Sequence, residues 1–123
     1  MKFEEWEPVY ERLLASFGYD RRDDERARGL LAEFATPFDF DRLDCAGRMV
    51  AVAGAGPSLP DDLDRVAGAD RVFAASTAVD VLDEHGVRVD LMVTDLDKNP
   101  ETAAALTHEG VPVAAHAHGD NVP

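Results

Sequence analysis

The chain has one cysteine, Cys45, two lysines, Lys2 and Lys98, and neither isoleucine nor glutamine. A single cysteine excludes an internal disulfide framework and a Cys-rich zinc site, and fits a reducing compartment in which Cys45 is a small buried residue. No apolar run approaches the roughly 18 residues of a membrane span. The opening Met1-Lys2-Phe3-Glu4-Glu5-Trp6-Glu7 is acidic where a secretory signal would be basic and then apolar. The expectation is a soluble, cytoplasmic protein with no membrane partner. Positive charge is scarce too: 12 Lys and Arg against 25 Asp and Glu leave a net charge of -13. Charge alone therefore opposes nucleic acid and other phosphate-presenting surfaces.

What is present is an acidity dominated by aspartate, with 16 Asp among the 25 acids. It resembles adaptation to high salt, because at molar salt the Debye length shrinks to roughly 3 Å and self-repulsion is screened. The 123 residues, 46% of them hydrophobic, match one domain able to bury a core.

Phe3, Trp6, Tyr10, Leu13, Leu14 and Phe17 recur at helical spacing, with Pro8 near the first turn and Gly18 as a stop signal. Trp6 and the phenylalanines are expected in the core. A second helix begins in Asp20 to Arg28, carries Ala27, Leu30, Leu31 and Phe34, and ends before Pro37. From Arg48 the period changes. Apolar runs at Met49 to Ala53, Val72 to Ala75, Leu91 to Thr94 and Val113 to Ala115 alternate with helical stretches at Pro60 to Ala67, Thr77 to Glu84 and Glu101 to His108. Continuous apolar runs alternating with helices predict an α/β, Rossmann-like parallel sheet, its strands buried on both faces and flanked by helices. The expected organisation is a helical segment over residues 1–45 and a Rossmann-like nucleotide-binding domain over 46–123.

In such a sheet, ligands bind beyond the carboxyl ends of the strands. After the first strand, Gly54-Ala55-Gly56-Pro57-Ser58-Leu59-Pro60 offers two glycines for a tight turn and close approach to a ligand; Leu59 stands where a dinucleotide fingerprint has its third glycine. A purely structural turn explains it as well. Ser58, with Asp61 three residues on, suits a capping box, and Pro60 and Asp62 join them in the first turn. Those carboxylates would repel a phosphate at the helix N-terminus, so a nucleotide here implies contact to ribose or base, or a metal bridge. After the second strand, Ser76 and Thr77 suit helix capping, and are secondary nucleotide-site candidates.

The third strand leads into Val93-Thr94-Asp95-Leu96-Asp97. Two carboxylates two residues apart in an extended segment share one side. They suit Mg²⁺, a hard ion held by one or two carboxylates plus substrate phosphates; an exposed acidic turn is the structural alternative. The fourth leads into His116-Ala117-His118-Gly119-Asp120-Asn121, where either histidine suits proton transfer or a phosphate oxygen. Zinc on His116, His118 and Asp120 is disfavoured beside a hard carboxylate pair. His85 and His108 sit at helix ends and read as structural.

Taken in order and spacing, Gly54-Ala55-Gly56-Pro57-Ser58-Leu59, Ala74-Ala75-Ser76-Thr77-Ala78, Val93-Thr94-Asp95-Leu96-Asp97 and His116-Ala117-His118-Gly119-Asp120-Asn121 resemble the archaeal 6-hydroxymethyl-7,8-dihydropterin pyrophosphokinases, as does the opening Phe3-Glu4-Glu5-Trp6-Glu7-Pro8. The resemblance implies a fold related to thiamin pyrophosphokinase, and a role in folate or methanopterin biosynthesis. It implies pyrophosphate transfer from ATP to the pterin hydroxymethyl oxygen, with AMP leaving. Asp95 and Asp97 would then be the Mg²⁺ ligands. Asp95, Asp97, His116 and His118 are the catalytic candidates. Gly54, Gly56, Pro57, Ser58, Ser76, Thr77, Asp120 and Asn121 are the nucleotide- and substrate-binding ones. Members of that family continue past the last motif, so a chain incomplete at its C-terminus is expected. Small-molecule substrates are the expected partners, and homo-oligomerisation stays open. The runner-up is a glycosyltransferase-like domain, since flagellin-modifying enzymes carry a similar Gly-x-Gly-Pro-Ser-Leu turn; a non-catalytic nucleotide-binding module is the third reading.

Overall fold

The computed structural model describes residues 2–119. Their contacts divide them into a helical unit, residues 2–37 with 117–119, and a sheet unit, Phe38–His116. The sequence pattern places the boundary after residue 45. No helix among the described residues is long and apolar enough to cross a membrane.

In the helical unit, α1 spans Phe3–Phe17 and stops at Gly18, whose φ of 73° only glycine adopts readily and whose N–H caps Leu14 O. Pro8 lies inside α1 rather than in its first turn, at the cost of one backbone donor. The second helix, α2, spans Arg21–Phe34; Asp20 starts it by accepting from the Arg22 N–H at 2.9 Å. Polar contacts join the two helices. Arg21 bridges Glu7, Glu11 and Glu25 at 2.7, 2.5 and 2.9 Å, and the Tyr10 hydroxyl donates to Asp24 at 2.5 Å.

The expected aromatic core does not form here. Leu14 and Ala27 are buried, but Phe3, Trp6, Phe17 and Phe34 are exposed. Helical spacing sets which residues share a stripe, not that the stripe is buried.

The sheet unit opens with a 3-10 turn, Phe40–Leu43, and carries β1 (Val50–Ala53), β2 (Arg71–Ala75), β3 (Leu91–Thr94) and β4 (Val113–Ala115), all parallel in the order β1-β2-β3-β4. The crossovers carry α3 (Leu63–Ala67, behind a 3-10 turn at Leu59–Asp62), α4 (Ala78–Glu84) and α5 (Pro100–His108). Same-handed crossovers in this strand order set their helices on one face. One core follows: Ala53, Val72, Ala74 and Met92 of the sheet pack with Leu59, Val66, Val79, Leu82 and Ala103.

The other face is covered unevenly: Leu91 is 4% exposed and Phe73 half-buried, whereas Val52 is 81% exposed and Val93 46%. Asp90 fixes the entry of β3. It accepts from the Val72 N–H at 2.9 Å and pairs with Arg71 and Arg88, each at 3.2 Å.

Candidate active site

Because all four strands run the same way, the segments that follow them leave the sheet at one edge. Three of those segments are tied together by backbone. The Ser76 N–H donates to Val93 O and the His116 N–H to Thr94 O, both at 2.8 Å.

Beyond β1, the segment Gly54–Ser58 is exposed. Neither Gly54 nor Gly56 has a positive φ, and a Cβ built on either meets nothing within 4 Å. The fold's own geometry therefore demands no glycine at either position; what the glycines provide is open backbone toward the outside. The capping expected of Ser58 is absent. Its side chain makes no cap, and the chain enters a 3-10 turn in which the Asp61 N–H bonds to Ser58 O at 3.0 Å. That tighter turn uses the backbone carbonyl and leaves no helical N3 donor for the hydroxyl.

Ser76 and Thr77 do not cap α4 through their side chains either. Ser76 sits at φ 48°, and its carbonyl accepts from the Val79 N–H at 3.1 Å.

The β3 end differs from the extended segment anticipated. The strand stops at Thr94, and residues 96–98 form a bend with Leu96 at φ 67°. Buried Thr94 receives the Leu96 N–H on Oγ1 at 3.0 Å, and Asp95 Oδ1 receives the Asp97 N–H at 3.2 Å. The carboxylates nevertheless meet: one oxygen of each lies within 4.8 Å of the other. Asp95 is half-buried and Asp97 exposed. As a donor set, two anionic oxygens on a turn fit a hard, partly hydrated cation.

His116 is exposed and closes the sheet unit; His118 belongs to the helical unit. There His118 and Gly119 line a cleft of about 310 Å³ with Leu14, Tyr19, Asp20, Asp23 and Asp24. The Gly119 N–H donates to Asp24 Oδ1 at 2.8 Å, and a Cβ on Gly119 would lie 2.6 Å from that of Asp23, so only glycine fits. Asp120 and Asn121 lie outside the described residues. Away from the edge, His85 Nδ1 meets Val81 O at 2.8 Å, His108 ends α5, and Cys45 is a half-buried free thiol.

Sequence reasoning missed one group at this edge. Asn99 Nδ2 donates to Asp80 Oδ2 at 2.9 Å and to Ser76 O at 3.3 Å, while Thr102 Oγ1 donates to Asp80 Oδ1 at 2.6 Å. The available signal was Asn99 directly before Pro100, a helix-start pattern.

No protein-family model matches the chain. Three curated archaeal proteins do, each named 6-hydroxymethyl-7,8-dihydropterin pyrophosphokinase. That of Methanothermobacter thermautotrophicus is 36% identical over 129 residues, spanning 100% of this chain and 56% of the relative. That of Pyrococcus furiosus is 36% identical over 128 residues, covering 99% and 55%. That of Methanocaldococcus jannaschii is 29% identical over 133 residues, again covering 99% and 55%. The chain thus spans little more than half the length of the curated relatives it matches. Over its whole length, the chain is similar to part of the archaeal 6-hydroxymethyl-7,8-dihydropterin pyrophosphokinases, as its motifs led one to expect.

Proposed function

We propose that the chain supplies the nucleotide- and metal-binding part of an enzyme that transfers pyrophosphate from ATP to 6-hydroxymethyl-7,8-dihydropterin, releasing AMP. The observation that carries the reading is the Asp95–Asp97 pair, with oxygens within 4.8 Å of each other, at the strand-end edge of a parallel sheet. That is where an α/β fold binds ligands. The names of the three relatives supply the substrate.

Asp95 and Asp97 would hold Mg²⁺, which when bound neutralises and aligns the triphosphate. This accounts for polyphosphate binding by a chain of net charge -13. The open backbone at Gly54, Gly56, Pro57 and Ser58 admits the nucleotide closely, and Ser76 and Thr77 offer hydroxyls beside it. His116 or His118 would brace a phosphate oxygen or accept the pterin hydroxyl proton, and Asp120 and Asn121 would orient the substrate. The work asked of these residues is positioning and charge stabilisation, as in phosphoryl transfer generally.

The test is AMP release from ATP with 6-hydroxymethyl-7,8-dihydropterin, with Mg²⁺ and with excess chelator. Pterin-dependent, chelator-sensitive AMP formation is expected. Turnover of a nucleotide-sugar instead, or AMP formation indifferent to the pterin, would refute the assignment.

A further inference from the structure

We infer that Asn99 is the positioning residue of this edge, holding the Asp95–Asp97 turn against the Ser76–Thr77 turn through Ser76 and Asp80. The inference rests on reading the Asp95–Asp97 pair as a cation-binding group.

An asparagine just before a helix ordinarily turns its side-chain oxygen onto the first helical N–H groups. Asn99 occupies that place ahead of α5 and makes no such cap. Its amide nitrogen instead donates to Ser76 O at 3.3 Å and Asp80 Oδ2 at 2.9 Å. Two acceptors around one nitrogen fix which way the amide faces. Asp80 is held in turn by the Thr102 hydroxyl at 2.6 Å, so the carboxylate that receives Asn99 is itself anchored to α5.

Two features of Asn99 work against stability. It forgoes the cap, and its Oδ1 is buried without a hydrogen-bond partner among the described residues, the residue being 7% exposed. What the arrangement secures is geometry. The two turns that it joins each contain a non-glycine residue at positive φ, Ser76 at 48° and Leu96 at 67°. Such conformations persist only where the surroundings over-determine them. Asn99 bonds directly to the first and lies three residues beyond the second, just after the bend that follows Asp95 and carries Asp97. A residue that sacrifices its local bonding to hold a strained turn acts as the outer support of a ligand set, the kind whose loss typically weakens metal binding by roughly ten- to a hundredfold.

The experiment compares Asn99→Ala with Val89→Ala, a core substitution in the same unit chosen to lower stability comparably, and with Thr102→Val, which removes only the Asp80 donor. Mn²⁺ affinity is read from paramagnetic broadening. Amide hydrogen exchange is read at Ser76, Leu96 and Asp97, whose N–H groups donate to Val93 O, Thr94 Oγ1 and Asp95 Oδ1. Asn99→Ala should weaken Mn²⁺ binding about tenfold. It should also speed exchange at those three amides at least about tenfold beyond Val89→Ala, with Thr102→Val intermediate. Equal behaviour of Asn99→Ala and Val89→Ala in both measurements would overturn the inference. If the unaltered protein binds no Mn²⁺, the metal reading itself fails, and the exchange comparison alone decides the role of Asn99.

Discussion

Replacing Asp95 or Asp97 by asparagine should move stability and cation binding in opposite directions. At 4.8 Å, the limit on the separation of their nearest oxygens, two unit charges repel by about 0.9 kcal/mol in water and about 3.5 kcal/mol at an effective dielectric of 20. Asp97 is exposed and Asp95 only half-buried, so the lower figure governs. Asparagine retains an oxygen at the position that accepts the Asp97 N–H at 3.2 Å, although a neutral acceptor holds that N–H less strongly. The two changes partly offset, and each variant should unfold at the same urea concentration as the parent or slightly higher, the gain vanishing in molar KCl. Divalent cation affinity should fall by at least about a hundredfold, and pterin-dependent AMP release by a similar factor, on the scale of removing one preorganised electrostatic group. Urea titration followed by circular dichroism, Mn²⁺ broadening and AMP release read the three quantities separately. Variants that keep full Mn²⁺ affinity and activity would reduce the pair to an acidic turn.

The sheet and its alternating helices were legible because each strand is a continuous apolar run and each crossover helix starts within a few residues of a turn signal. β3 and β4 fall on the anticipated residues, and β1 and β2 differ by one. Burial was less legible. Helical spacing identifies which residues share a face, but not whether anything covers it, so Trp6 and Phe17 are on the right stripe and still exposed. The same holds for Val52, which is exposed on the face where Leu91, two strands away, is buried. Capping failed for another reason. Ser58, Ser76 and Thr77 have the chemistry of caps, but 3-10 geometry at one turn and a positive φ at the other direct the available N–H groups elsewhere. Asn99 was invisible as a support because its partners Ser76 and Asp80 are 23 and 19 residues away. Such a bond is created by the crossover and leaves no local pattern.

Leu82 is fully enclosed, so Leu82→Ala should cost about 2–5 kcal/mol in urea unfolding, and a loss below about 1 kcal/mol would contradict the one-sided core. With a net charge of -13, the thermal midpoint should rise from dilute buffer to molar KCl, and a flat or falling midpoint would remove the high-salt reading. Tyr10 has its pKa raised from 10.0 to about 12, first by donating to the Asp24 carboxylate and then by burial. The folded state holds this proton more tightly, so its contribution is complete below pH 10 and is lost as the pH climbs toward 12. Tyr10→Phe should flatten that part of the stability profile, and an identical alkaline decline in both proteins would show that the hydroxyl is not coupled to folding. Finally, Val→Thr at two positions compares a covered with an open position of the sheet, since Val72 is 4% exposed in the core and Val52 is 81% exposed. The exchange swaps a methyl for a hydroxyl of nearly the same shape, so packing volume is conserved and desolvation of the hydroxyl decides the outcome. Within the helix-covered core the hydroxyl loses its water partners, and Val72→Thr should cost about 1–3 kcal/mol. At the open position water solvates the hydroxyl, and Val52→Thr should stay within about 0.5 kcal/mol of the parent. Equal costs at the two positions in urea titration would mean that Val52 is covered in solution.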